Sequence, residues 1–575
     1  MSIETLLGDA GGMGRFQWVV LVAVSMGKVF CGWSVLQMTF AGIIPDFYCE
    51  KSNQVSDPDL HYDPRPRNET LNSCSIPADH NGSDTESCDA YNFTGSFGTV
   101  ITDFNLVCDK AWVKPSVTSM QMAGLLVGAV ISGQLGDSWG RWKTNFLFAL
   151  IMAVSNIATA FSNSWEVFAF CRFLIGSGIG GTAVMVFIFS VEFMPPKWRP
   201  VVGCFPVWPI GVCCFSLSAY LLQDWRNIQL ATGICGLLAL PLLLFVPESL
   251  RWLTVQGRLD EAQKTIDKIA RWNGKPTVPH AMKTLQKVYE LEKDVRESGR
   301  RYTYLDVFKS WPSVKTTVIM SYHWFCYALL YYGISFGISS LAGSIFLNIF
   351  LLGIIDIPPT AITFFFNKSI GRKWTVAPVV TLCLACLITC MVLQLKGLGG
   401  GDSLLITGLS LAAKATAAMA WITVMTWGSE LYPTVIRNLG YGICNTSCRI
   451  AGILAPFLLN FDERMAMSYS ILATMLAVDL ALVVLLPDTT NMVMPDSINI
   501  RKSPETSAVQ IETAHSSVRE KIGESNVKVP IKSAEKTALG KEFYPDVAHE
   551  QSQAGEGAAY INKAMSMEDE KGIRL

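Results

Sequence analysis

Six acidic or strongly basic residues stand inside long apolar runs of this chain: Lys28, Arg172, Asp356, Lys414, Arg449 and Asp479. A charge in hydrocarbon is costly unless it is paired or meets a charged ligand, so each position is a functional candidate from the outset. Lys28 lies 13 residues past Arg15, Asp356 lies 12 before Lys368, and Arg449 lies 12 after Arg437. At a helical rise of about 1.5 Å per residue, each sits roughly 18–20 Å from the basic end of its run, near the middle of a layer about 30 Å thick. Lys414 falls deep in its own run and Arg172 toward the far side of another. Opposite charges at one depth can bind a small charged solute or tie helices together, and the residues alone allow both. Asp479 lies in the last run, normally peripheral in a duplicated bundle, and reads as structural.

Beside these charges runs an aromatic strip: Tyr322, Trp324, Phe325, Tyr327, Tyr331 and Tyr332. Trp324 and Tyr331 are seven apart and share a helix face. Such faces attract ammonium groups, although the same strip could serve packing alone. Pro358 and Pro359, just after Asp356, should interrupt their helix and free carbonyls for water or ligand.

Two hairpins position these residues. Gly133–Lys143, GQLGDSWGRWK, is a tight basic turn between two apolar runs, with Asp137, Gly140 and Arg141 spaced D-x-x-G-R. A second copy, Asn367–Trp374, keeps Gly371 and Arg372 but has Lys368 where the Asp would stand. Two hairpins of one design, one per half, imply a duplicated core. Glu192, Glu430 and Arg437 join them as gating candidates at span ends.

The chain of 575 residues is 50% hydrophobic and 16% charged, too apolar for a soluble protein of this size. Its net charge of −1 makes no electrostatic case for nucleic acid. Twelve candidate spans fall near 16–44, 116–136, 145–162, 165–190, 201–222, 229–246, 316–337, 344–366, 374–394, 404–428, 439–460 and 467–487. Between the first two lies a polar loop, 45–115, with sequons at Asn68, Asn81 and Asn92 and four cysteines, Cys49, Cys74, Cys88 and Cys108. That combination marks an oxidising, external face, and four cysteines leave three disulfide pairings open. Basic residues gather on the opposite face, so both termini are expected in the cytosol.

The expected layout is 1–250 as a six-helix half, 251–315 as cytosolic linker helices, 316–487 as a second half, and 488–575 as a disordered cytosolic tail. The run GSGIGG at 176–181 satisfies G-x-G-x-x-G, but it lies inside an apolar run and reads as helix packing rather than a dinucleotide loop. No phosphate-loop pattern, zinc spacing or nucleophile elbow gives an enzyme, a metal or a cofactor any residues to stand on. Sodium or proton coupling stays open.

GQLGDSWGRWK, PESLRWL at 247–253, GRLDEA at 257–262 and SELYPTVIRN at 429–438 resemble signatures of the organic cation, carnitine and organic anion transporters, a branch of the major facilitator superfamily. The resemblance covers roughly 10–490 and implies an all-α membrane protein of twelve transmembrane helices in two halves. It also implies alternating access, with spans one, two, four, five, seven, eight, ten and eleven lining the cavity. Position 449 is similar to a span-eleven site where cation-selective members tend to carry Asp and anion or carnitine members Arg. Segments 331–358 and 461–472 are most similar to the carnitine and novel organic cation branch. Thr360 stands where organic anion members tend to carry Lys, while Trp142 in place of a base, Lys28, and the lack near 190–198 of the phosphate-loop-like run of some carnitine members depart from the pattern.

The expected function is a plasma-membrane carrier of small organic ions, zwitterions or cations of carnitine type. In it Arg449 takes a carboxylate while Trp324, Tyr331 and Phe325 hold the ammonium, helped by Asp356. Lys414 and Lys28 complete the candidate pocket. An organic anion exchanger built on Lys28, Lys414 and Arg449 is the second reading, and a non-transporting receptor or scaffold the third.

Overall fold

Backbone groups in lipid must satisfy one another, so the apolar runs become helices. The computed structural model describes residues 3–50, 74–77, 85–88, 90–95, 97–297, 304–397, 404–432, 436–459 and 464–489. The sequon residues Asn68 and Asn81, and the tail from 490 onward, lie outside them.

Span one is Arg15–Val35, continued by Met38–Ala41. Spans two, three and four are Val113–Trp139, Arg141–Ala160 and Trp165–Glu192. Span five joins Arg199–Cys204 to Val207–Leu222, and span six runs Trp225–Ala239 into a 3-10 turn, Leu240–Phe245. The second half holds span seven, Trp311–Phe336, and span eight, split into Ile345–Ile354 and Ile357–Ser369. Spans nine to twelve are Arg372–Leu395, Leu404–Leu431, Arg437–Leu458 and Met465–Leu485. Among the described residues ten of these segments are long and apolar enough to cross a membrane by themselves. Spans seven and eleven, the remaining two, are the less apolar pair, and they carry Trp324, Tyr331, Tyr332 and Arg449.

Local chemistry fixes the ends. Ser164 and Asp224 cap spans four and six through their side-chain oxygens. Gly140 turns the hairpin at φ +116°, and Gly371 repeats the turn at φ +102°. The glycines of GSGIGG serve close approach. A Cβ on Gly176 or Gly180 would stand 2.0 Å from the carbonyl oxygens of Gln121 and Leu125, so spans two and four touch backbone to backbone.

Between spans one and two, strand Asp46–Glu50 pairs antiparallel with Ala90–Thr94, and Ser75–Pro77 pairs with Thr85–Ser87. Cys49 bonds Cys88 and Cys74 bonds Cys108, which selects one of the three pairings. Asn92 is exposed on the second strand of the first pair. After span six come Leu250–Val255 and two amphipathic helices, Leu259–Trp272 and Ala281–Glu297. Asn273 pins them to the start of span one, accepting from the Phe16 amide and donating to the Ala10 carbonyl, each at 3.0 Å.

The two halves meet at the end that bears the cysteine loop. There Ser119 of span two donates to the Ile453 carbonyl and Ser216 of span five to the Phe346 carbonyl, both at 2.6 Å. Phe346 also packs against Phe40, Phe97 and Tyr220 with centroids 5.5–6.1 Å apart, an aromatic seal over this end.

Candidate functional site

Span eight breaks where its sequence demands. Asp356 occupies the junction, and Pro358 and Pro359 start the next segment. The break leaves the Leu352 carbonyl to accept from Lys414 Nζ at 2.8 Å. The same ammonium lies 2.7 Å from Asp356 Oδ2 and 4.5 Å from the centre of the Tyr331 ring. Tyr331 donates its hydroxyl to that carboxylate oxygen at 2.8 Å. Asp356 and Lys414 are both buried, so this ion pair is dry and closed. The two charges read as substrate ligands neutralise each other here, and Tyr331 is committed to them.

Arg449 is placed otherwise. It is half-buried in mid-span, and its Nη1 donates to the Tyr332 hydroxyl at 3.2 Å. Its Nε is buried without a hydrogen-bond partner, and no carboxylate pairs with it among the described residues. Tyr332 stacks on Phe336 at 5.9 Å and meets Trp421 edge-on at 6.4 Å, so the guanidinium borders an aromatic wall. Adjacent tyrosines on span seven thus serve two different charges, Tyr331 the buried pair and Tyr332 the unpaired arginine.

Lys28 is half-buried on span one and makes no hydrogen bond or ion pair among the described residues. No such bond joins it to Arg449 or Asp356. Trp324 is buried with its ring edge-on to Tyr441 of span eleven at 4.9 Å. Phe325 is half-buried against the core. The aromatic strip therefore divides between several faces instead of forming one wall. Arg172 is fully buried and donates to Gln37, which in turn donates to Thr232 at 2.9 Å.

Sequence reasoning missed one cluster. Asp479, read as a lone structural charge, lies 2.5 Å from His323 Nδ1 and accepts from the Tyr327 hydroxyl at 2.6 Å. The available signal was His323, the one histidine of six inside an apolar run, with Tyr327 four residues on and so on the same helix face.

The hairpins carry matched ion pairs. Arg141 reaches Asp137 at 2.6 Å and Glu192 of span four at 3.3 Å. Arg372 reaches Glu430 of span ten at 2.6 Å. The Lys368 substitution removes the Asp, but the Arg-to-Glu bond survives in both halves. Glu248 accepts from the amides of Arg141, Trp142 and Ser249 at 2.9–3.0 Å. Burial pushes its carboxyl above the ordinary range, and those three amides pull it partly back. Trp252 and Gln256 donate to the Asp137 carbonyl, and all three line an open cavity of about 240 Å³ between hairpin and linker. Arg437 opens span eleven at this same end.

Residues 20–492 match the sugar (and other) transporter family. The chain is 31% identical over 428 residues to solute carrier family 22 member 15 of Xenopus tropicalis, covering 72% of this chain and 77% of the relative. The chain belongs to solute carrier family 22. Mouse organic anion transporter 3 is 29% identical, covering 79% of this chain and 86% of its own. Human organic cation/carnitine transporter 2 is also 29% identical, covering 72% and 74%. The inward-open xylose transporter XylE of E. coli shares the fold at TM-score 0.59 and 15% identity, over 83% of this chain and 98% of its own. A family 22 carrier is a multi-pass membrane transporter of small organic ions working by alternating access, not an enzyme, and it needs no cofactor.

Proposed function

We propose that this carrier moves zwitterionic organic ions of carnitine type, with Arg449 as the ligand of the substrate carboxylate. The observation that carries the reading is an arginine at mid-depth with no carboxylate partner among the described residues. A half-buried cation of this kind is stabilised by an incoming anion, which is in turn stripped of water only when paired. Tyr332, Phe336 and Trp421 beside it offer π-faces for the ammonium end. The named activity of the human carnitine relative fits this substrate class.

The chain sits in the plasma membrane with both termini cytosolic, as the basic hairpins at one end and the sequon loop at the other support. Asn68, Asn81 and Asn92 are then external and glycosylated. The pairs Arg141–Glu192 and Arg372–Glu430 act as paired latches at the cytosolic end, with Asp137, Gly140, Gly371 and Arg437 shaping them.

A second reading, organic anion exchange, has its own observation. Asp356 is already neutralised by Lys414, which leaves Arg449 and Lys28 as an excess of positive charge. Uptake into proteoliposomes tests both. Carnitine uptake that Arg449→Ala abolishes while the protein remains inserted supports the first reading, and unchanged uptake rejects it. Dicarboxylate uptake stimulated by internal anions and indifferent to amines selects the second.

A further inference from the structure

We propose that His323 and Asp479 form a proton-binding site whose occupancy changes during the transport cycle. Both side chains are fully buried between spans seven and twelve. Three hydrogen bonds join these spans: Tyr322 to the Met475 carbonyl at 2.9 Å, His323 to Asp479 and Tyr327 to Asp479.

Charge counting distinguishes the site from a simple tie. With the imidazole neutral, the group bears one whole negative charge in the hydrocarbon layer. No arginine or lysine pairs with Asp479 among the described residues; His323 is its ion-pair partner. The other titratable neighbours are Tyr322, Tyr327 and Cys326 on span seven and Cys383 on span nine, none of them a cation. Span ten contributes Trp427, which stacks over the imidazole at 6.5 Å and does not titrate. One added proton converts the group into an imidazolium–carboxylate pair with no net charge, the form a low-dielectric interior tolerates. The place for that proton is His323 Nε2, which is buried and has no hydrogen-bond partner among the described residues.

The proton site is wired to the proposed substrate site through one helix. Tyr331 stands four residues, one turn or about 6 Å, beyond Tyr327. It holds Asp356, while Tyr332 holds Arg449. A tilt of span seven that separates it from span twelve therefore disturbs both groups at once. The proton is the whole co-substrate: it binds Nε2 from one side and leaves to water on the other, with no other bond made or broken. The link to transport rests on the carrier reading above; the presence of the proton site does not.

Infrared difference spectra of the purified full chain between pH 5 and 8 test the site without any substrate. An imidazole band that titrates in the wild type and is missing in His323→Gln is expected. Carnitine uptake in proteoliposomes then tests coupling: a severalfold dependence on the pH gradient in the wild type, flattened in His323→Gln and Asp479→Asn. Tyr327→Phe, which keeps both ionisable groups and removes one donor to Asp479, is expected to shift the pH profile even where the other variants fold poorly. A spectrum identical in wild type and His323→Gln overturns the site. An uptake profile unchanged in Tyr327→Phe and either other variant overturns its coupling.

Discussion

Lys414 Nζ lies 2.7 Å from Asp356 Oδ2, and the two residues come from different helices of the same half. The contact decides what the mid-membrane charges can do. A carboxylate held by an ammonium and a tyrosine hydroxyl is already neutralised, whereas Arg449 has no carboxylate partner among the described residues. The proposed substrate reading rests on that difference.

Breaking one member of such a pair strands the other. Lys414→Met is expected to destabilise the protein by about 3–5 kcal/mol, and Lys414→Met with Asp356→Asn by clearly less, because no uncompensated charge remains. Thermal unfolding of the purified variants in detergent measures this, and a double variant no better than the single contradicts the account.

The hairpin latches make a prediction about symmetry. Arg372→Glu is expected to lose transport, and Arg372→Glu with Glu430→Arg to regain part of it, since the pair sits across two spans at one end of the second half. The same swap at Arg141 and Glu192 should recover less, because Arg141 also binds Asp137 and its amide is held by Glu248. Equal recovery at both hairpins would argue that the latches are equivalent.

Glu248 should leave a pH signature in stability. Its folded carboxyl titrates above the ordinary value of 4.5, so the fold holds this proton longer than the unfolded chain does. The contribution is present below 4.5 and lost as pH rises through the raised value. Glu248→Gln has no such loss, so its melting temperature should gain on the wild type as pH climbs from 4 to 7. A difference that stays constant over that range refutes the assignment.

The two disulfides close loops of 39 and 34 residues in sequence separation. On the chain-entropy model each is worth about 4 kcal/mol to the fold. Peptide mapping without reductant should recover the Cys49–Cys88 and Cys74–Cys108 peptides. Removing Cys49 alone should lower surface expression more than removing Cys49 and Cys88 together, since a lone thiol invites exchange.

Much of the architecture is written along the chain. Apolar run length gives the spans, the repeated Gly-Arg turn gives the duplication, and helical rise gives how far Lys28, Asp356 and Arg449 lie along their helices, because each is a property of consecutive residues. The break in span eight follows from two prolines for the same reason. Partnership is different. Asp356 finds Lys414 across 58 positions, and Asp479 finds His323 across 156. Rise per residue fixes how deep a side chain lies but not which way it faces once twelve helices have packed. A buried charge must have a partner, and only the packed bundle chooses it: Lys414 for Asp356, His323 for Asp479, and for Arg449 a tyrosine hydroxyl in place of a carboxylate.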